Sequence, residues 1–74
     1  MGGFIMKNNT INLNIYDGSE GSEYTIHENG DVNITTISNG CIASEIDLSI
    51  ENFGFTKPEE LIADLISQGY EIEW

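Results

Sequence analysis

Four segments of this chain alternate between apolar and polar residues, and the last three are joined by connections of only about three residues. Thr10–Tyr16 (TINLNIY) sets Ile11, Leu13 and Ile15 on one side and Asn12 and Asn14 on the other. A side-chain period of two is the mark of a half-buried strand. Tyr24–His27 repeats it with Tyr24 and Ile26 inward, and Asp31–Ile37 with Val32 and Ile34 inward. Cys41–Ile50 is the longest run, with Ile42, Ile46, Leu48 and Ile50 inward. Glu28-Asn29-Gly30 and Ser38-Asn39-Gly40 are the tight connections. The pattern predicts a four-stranded antiparallel meander.

The turns also constrain register. A two-residue Asn-Gly turn after His27 would set Ile26 opposite Asn33, an apolar side chain beside a polar one. A three-residue loop ending in a left-handed glycine sets Ile26 opposite Val32 and Tyr24 opposite Ile34. The same loop at the second turn pairs Val32 with Ile46 and Thr36 with Ile42. His27, Asp31 and Asp47 then share one row on the outer face, followed by Thr25, Asn33 and Glu45, then by Glu23, Thr35 and Ala43. Asp31 directly opposite Asp47 would cost some stability.

Thr56-Lys57-Pro58-Glu59 has the form of a capping box, with Thr56 as N-cap and Glu59 reaching back. Leu61, Ile62, Leu65 and Ile66 follow at helical spacing, and Gly69 stops the helix. Tyr70–Trp74 alternates again and reads as a short fifth strand beside the first. The predicted class is α+β, ββββαβ, with one helix across one face of a single-domain sheet. Residues 1–9 read as an extension, disordered or mis-assigned, with Met6 as an alternative start.

Charge narrows the function. Thirteen acids face two lysines, Lys7 and Lys57, and no arginine, for a net charge of −11. Direct binding to nucleic acid is disfavoured because phosphate contacts require Lys and Arg, and anionic membrane surfaces are disfavoured likewise. The chain is rich in isoleucine and asparagine, whose codons are A/T-rich. Such a genome would inflate lysine as well, so the scarcity of lysine points to selection for a negative surface. With one cysteine, Cys41, there is no internal disulfide. No apolar run reaches the roughly 18 residues of a membrane span, and a cytoplasmic setting is expected.

Site motifs are few. Tyr16–Tyr24 (YDGSEGSEY) lacks the Gly-Lys-Ser/Thr of a phosphate loop and is not followed by a helix. Asp17, Ser19, Gly21, Glu23 and Glu28 imitate an EF-hand spacing, but Ser22 stands where that loop needs glycine. The segment reads as a long pliable connection carrying acids. His27 has no nucleophile near it, and Cys41 reads as a filler beside Ile37. Paired-carboxylate chemistry needs an acid in an apolar, substrate-sized cleft, so the expectation is no enzyme, no metal and no cofactor. Phe53, Phe55 and Trp74 read as the cap of the core's open end, or as aromatic anchors for a partner.

A very small, acidic, arginine-free α+β chain resembles phage-encoded inhibitors of host defence, such as anti-CRISPR proteins and other DNA mimics. The likeness rests on size and charge over the whole chain. It implies a non-enzymatic inhibitor, in the cytoplasm of a bacterial host, that occupies the basic nucleic-acid site of a protein. The residues expected to touch that partner are Asp17, Glu20, Glu23, His27, Asp31, Glu45, Asp47, Glu51, Glu71 and Glu73. The alternative is a small assembly module that binds through the aromatic residues or a sheet edge.

Overall fold

The computed structural model describes residues 10–73. The alternative start at Met6, the extension over residues 1–9 and the role of Trp74 lie outside that range. The elements run β1 (Thr10–Asp17), β2 (Glu20–His27), β3 (Asp31–Ser38), β4 (Cys41–Ser49), a 3-10 turn (Ile50–Phe53), α1 (Pro58–Ser67) and β5 (Glu71–Glu73). They form one antiparallel sheet in the order β4-β3-β2-β1-β5, the expected meander with the last strand beside the first.

The β2–β3 connection has the expected register. Gly30 takes φ 99°, its N–H donates to the His27 carbonyl at 3.0 Å, and Ile26 faces Val32 with Tyr24 opposite Ile34. The other two turns differ from expectation. Tyr16–Tyr24 is no long loop: Gly18 and Ser19 alone turn the chain, and Asp17 pairs with Glu20. Gly18 at φ 68° supplies the left-handed residue such a turn needs. The β3–β4 turn is likewise two residues, Asn39 at φ 55° and Gly40 at φ 77°, both left-handed as in a type I′ hairpin.

That shorter turn does not carry its apolar-on-polar pairing along the ladder, because a bulge resets the register. Ser38 faces Cys41 and Ile37 faces Ile42, but Thr36 faces Ser44, leaving Ala43 as the extra residue of β4. Beyond the bulge Ile34 meets Ile46 and Val32 meets Leu48. The expected Val32–Ile46 and Thr36–Ile42 pairs are therefore replaced. Asp31 faces Ser49 and Asp47 faces Asn33, so the expected opposition of two aspartates does not occur. Ile42 shares the outer face with Ile37 and is 62% exposed, not inward.

The core is Ile11, Leu13, Ile26, Val32, Ile50, Leu61, Ile62 and Leu65, with no buried polar residue among those described. Tyr24 packs edge-on against Tyr70 with ring centroids 5.3 Å apart. Burial, then the neighbouring Tyr70, raises the Tyr24 hydroxyl above its ordinary pKa of 10.0. Phe53 and Phe55 are half-buried against the core, as the capping role requires. Ile66, expected in the buried stripe, is exposed, and so is Cys41, which faces Ser38 rather than filling the core. Ile46 points to the helix-bearing side yet is 50% exposed, because the helix does not reach it.

The helix start is one residue later than the sequence pattern implies. Lys57 is the N-cap, with an extended backbone, and Pro58 opens α1. Glu60, not Glu59, reaches back, accepting the N–H of Thr56 at 2.9 Å and of Lys57 at 3.2 Å. Those two donors hold its carboxyl below the ordinary value of 4.5. At the other end Gly69 is left-handed at φ 106°, and the N–H of Tyr70 donates to the Leu65 carbonyl at 3.0 Å.

We expect Leu13→Ala to cost about 2–5 kcal/mol, as for a fully buried leucine, and Ile46→Ala less than about 1 kcal/mol, measured by urea unfolding. Equal losses would mean that α1 covers the whole inner face. Glu60 adds stability as a carboxylate, because its folded value is the lower one; that share exists above its ordinary value and vanishes as pH falls through the folded one. Glu60→Ala should therefore lower Tm at neutral pH, with the gap from the wild type closing as pH falls below 4.5.

Candidate protein-binding surface

Antiparallel alternation decides which carboxylates can act together. The outer face, opposite α1, holds a row Glu73–Asn12–Thr25–Asn33–Asp47 and a second row Glu71–Asn14–Glu23–Thr35–Glu45. Thr10, His27, Asp31 and Ser49 lie along the margin beyond the first row. Seven of the expected contact residues thus share one face: Glu23, His27, Asp31, Glu45, Asp47, Glu71 and Glu73. None of the described strands contributes a lysine or arginine.

The acids are interleaved rather than opposed. In the second row they fall on β5, β2 and β4, every other strand, so neighbours are about 9.6 Å apart at the usual strand spacing. Along β4 and β5 the pairs Glu45/Asp47 and Glu71/Glu73 repeat at about 6.7 Å. Between them stand amides and hydroxyls that donate to or bridge the carboxylates. Asn33 donates to Asp47 at 2.9 Å, Asn14 to Glu73 at 3.1 Å, and Thr25 to the Asn12 side-chain oxygen at 2.9 Å. The asparagines of β1 and β3 were legible only as the wet side of strands; their part in holding the acids apart depends on register.

His27 hydrogen-bonds Thr10 across β1 at 3.1 Å. With Asn29, Asp31, Asn33 and Asp47 it also lines a shallow cleft of about 360 Å³ at one end of the face. His27, Asp31 and Asp47 are therefore neighbours, although not in the single row first expected. Asn29 accepts the Asp31 N–H at 3.0 Å through its side-chain oxygen and donates to the Asp31 carboxylate at 3.1 Å. The cleft has acceptors for a cationic group and no nucleophile. Among the described residues no three His, Cys, Asp or Glu side chains are grouped to hold a metal ion.

Three expected residues lie elsewhere. Asp17 and Glu20 alternate onto the helix-bearing side, at the hairpin tips beyond α1. Glu20 is engaged there, accepting from the Ser38 hydroxyl and the Asn39 N–H, both at 3.2 Å. Glu51 belongs to the 3-10 turn and lines a different hollow with Asn29, Asp31 and Thr56. The acidic loop imagined beside the sheet face is thus a β-turn pinned to the neighbouring hairpin.

Tyr16 was not among the expected contacts, yet it organises one end of the face. It faces Gly21 on β2, and its hydroxyl donates to Glu23. A Cβ on Gly21 would lie 2.3 Å from the Tyr16 ring and 2.8 Å from the Ile15 carbonyl oxygen, so only glycine admits the ring there. Tyr16 is 50% exposed and continues through Gly21 into Ile37 and Ile42, an apolar strip within the acidic face. The cue in sequence was a glycine inside a strand, hidden because the segment read as a loop.

Gly21→Ala should destabilise the protein by about 1–3 kcal/mol, as overpacking does. In Tyr16→Ala/Gly21→Ala the loss should fall below the sum of the single changes. Additive losses in chemical denaturation would mean that the ring does not rest on the glycine.

No helix among the described residues is long and apolar enough to cross a membrane. No protein-family model matches the chain, and no curated protein or solved structure matches it significantly.

Proposed function

We propose that the protein is a non-enzymatic acidic inhibitor that occupies the basic nucleic-acid-binding surface of another protein, such as a host defence nuclease complex. One observation carries the proposal: Glu23, Asp31, Glu45, Asp47, Glu71 and Glu73 project from one face on which none of the described strands places a lysine or arginine. An ordinary wet sheet face mixes both signs, because opposite-charge neighbours stabilise it and like charges do not. Interleaved with amides, these acids form a field that attracts a positive cleft and speeds encounter with it. The host-cell setting and the defence target follow from the resemblance in size and charge.

A partner bound through such a field is captured by rate and lost with salt. We expect a basic nucleic-acid-binding protein to be retained from bacterial lysate at about 50 mM salt and released at several hundred millimolar. Joint replacement of Glu45, Asp47, Glu71 and Glu73 by their amides should reduce retention at least about tenfold at low salt. Retention that is independent of salt, and intact in the quadruple variant, would overturn the proposal.

Phe53 and Phe55 support the core rather than a partner contact, being half-buried against it. The assembly-module alternative then rests on Trp74, which lies outside the described residues, and on the sheet edge.

A further inference from the structure

We propose that β4 is a docking edge that accepts an extended segment of the partner, one whose side chains alternate between basic and apolar, as an added strand. The idea deepens the function proposed above and rests on it for the basic character of the partner. β4 is nine residues long and, among the described residues, pairs only with β3. Its other side carries backbone donors and acceptors that no other described strand pairs with, the template on which strand addition works. Long edges are normally blunted by charged side chains, lysine above all, by proline or by a bulge. β4 has no lysine or proline, its charges Glu45 and Asp47 are both acidic and on the outer face, and its bulge at Ala43 lies near the turn, leaving Ser44–Ser49 regular.

The two faces of this edge differ in chemistry. Ile46 and Leu48 lie on the helix-bearing side, where Ile46 is 50% exposed; Glu45 and Asp47 lie on the outer face. An added strand with the same two-residue period would set its apolar residues beside Ile46 and Leu48 and its basic residues beside Glu45 and Asp47. Cross-strand pairs of opposite charge and of apolar residues both favour that match.

The same residues oppose a second copy of this chain. A two-fold pair of β4 strands centred on Ile46 places Glu45 against the partner's Asp47, and one centred on Glu45 places Glu45 against itself. Each chain brings a net charge of −11 to that contact. The edge is therefore guarded against its own kind by acid, a guard that a cationic strand turns into attraction.

The test uses the full chain, labelled with nitrogen-15, and a short blocked peptide of alternating lysine and valine. The control is the same peptide N-methylated along its centre, which keeps the charge and removes the backbone donors. In the free chain the solvent-side amides of β4 should exchange rapidly; on adding the peptide at low salt they should become protected. The N-methylated peptide should bind at least about tenfold more weakly. Equal binding of both peptides, with shifts spread over Glu23, Glu71 and Glu73, would overturn the edge while leaving the acidic face as the binding surface. Binding of neither peptide would overturn both. Slow exchange throughout β4 in the free chain would mean the edge is already covered, by a second copy or by residues 1–9, and would also overturn it.

Discussion

The helix is too short for the sheet it covers. Ten residues of α1 span about 15 Å, whereas strands of eight or nine residues span about 27–30 Å. Most of the molecule's organisation follows from that mismatch. The fully buried residues collect at the end of the sheet where β2 turns into β3, under Leu61, Ile62 and Leu65. The tips of the β1–β2 and β3–β4 hairpins extend past the helix, giving the molecule its 39 × 22 × 22 Å proportions. Beyond the helix no other described element covers the inner face, and there Ile46 is half exposed and Glu20 ties one hairpin tip to the other.

The outer face answers a different demand. Concentrating acids on one side of a small sheet costs stability wherever two of them meet across adjacent strands. The observed register avoids every such meeting on that face by putting asparagine, threonine or serine opposite each carboxylate. The one opposed pair in the sheet, Asp17 with Glu20, is at a turn on the other side, where Glu20 has hydrogen-bond donors of its own. Charge density and foldability are thus reconciled by order along the rows, without recourse to basic residues.

Element type and order were legible in the sequence because they depend on local period. TINLNIY could be nothing but a half-buried strand, and Gly69 closes the helix as expected. The β2–β3 register was legible too, since only one loop length matches apolar with apolar. The β3–β4 register was not. The rule that apolar residues should face one another was sound, but it admits two solutions, a longer loop or a short turn plus a bulge. Asn39 and Gly40 favour the short turn locally, and Ala43 absorbs the difference. The β1–β2 turn was obscured by composition: glycine, serine and glutamate suggested a loop, while Gly21 was needed inside a strand to admit the Tyr16 ring. For the surface, sequence identified most of the acids that share a face, because alternation alone assigns them. It misplaced Asp17, Glu20 and Glu51, whose positions depend on where turns begin.

The bulge at Ala43 has a consequence for how such a chain can change. It works as a phase shifter between two parts of one strand: the turn obeys its own geometry, and the ladder beyond obeys the core. Mutations that alter the tip of this hairpin need not disturb the position of Glu45 or Asp47, since the extra residue isolates one from the other. Loss of that single residue would join them in one regular ladder, with Ile42 and Ser44 already on opposite faces; any later change in the length of the turn would then shift Glu45 and Asp47 with it. A lineage carrying this fold is therefore free to vary its tip while holding its acidic face constant.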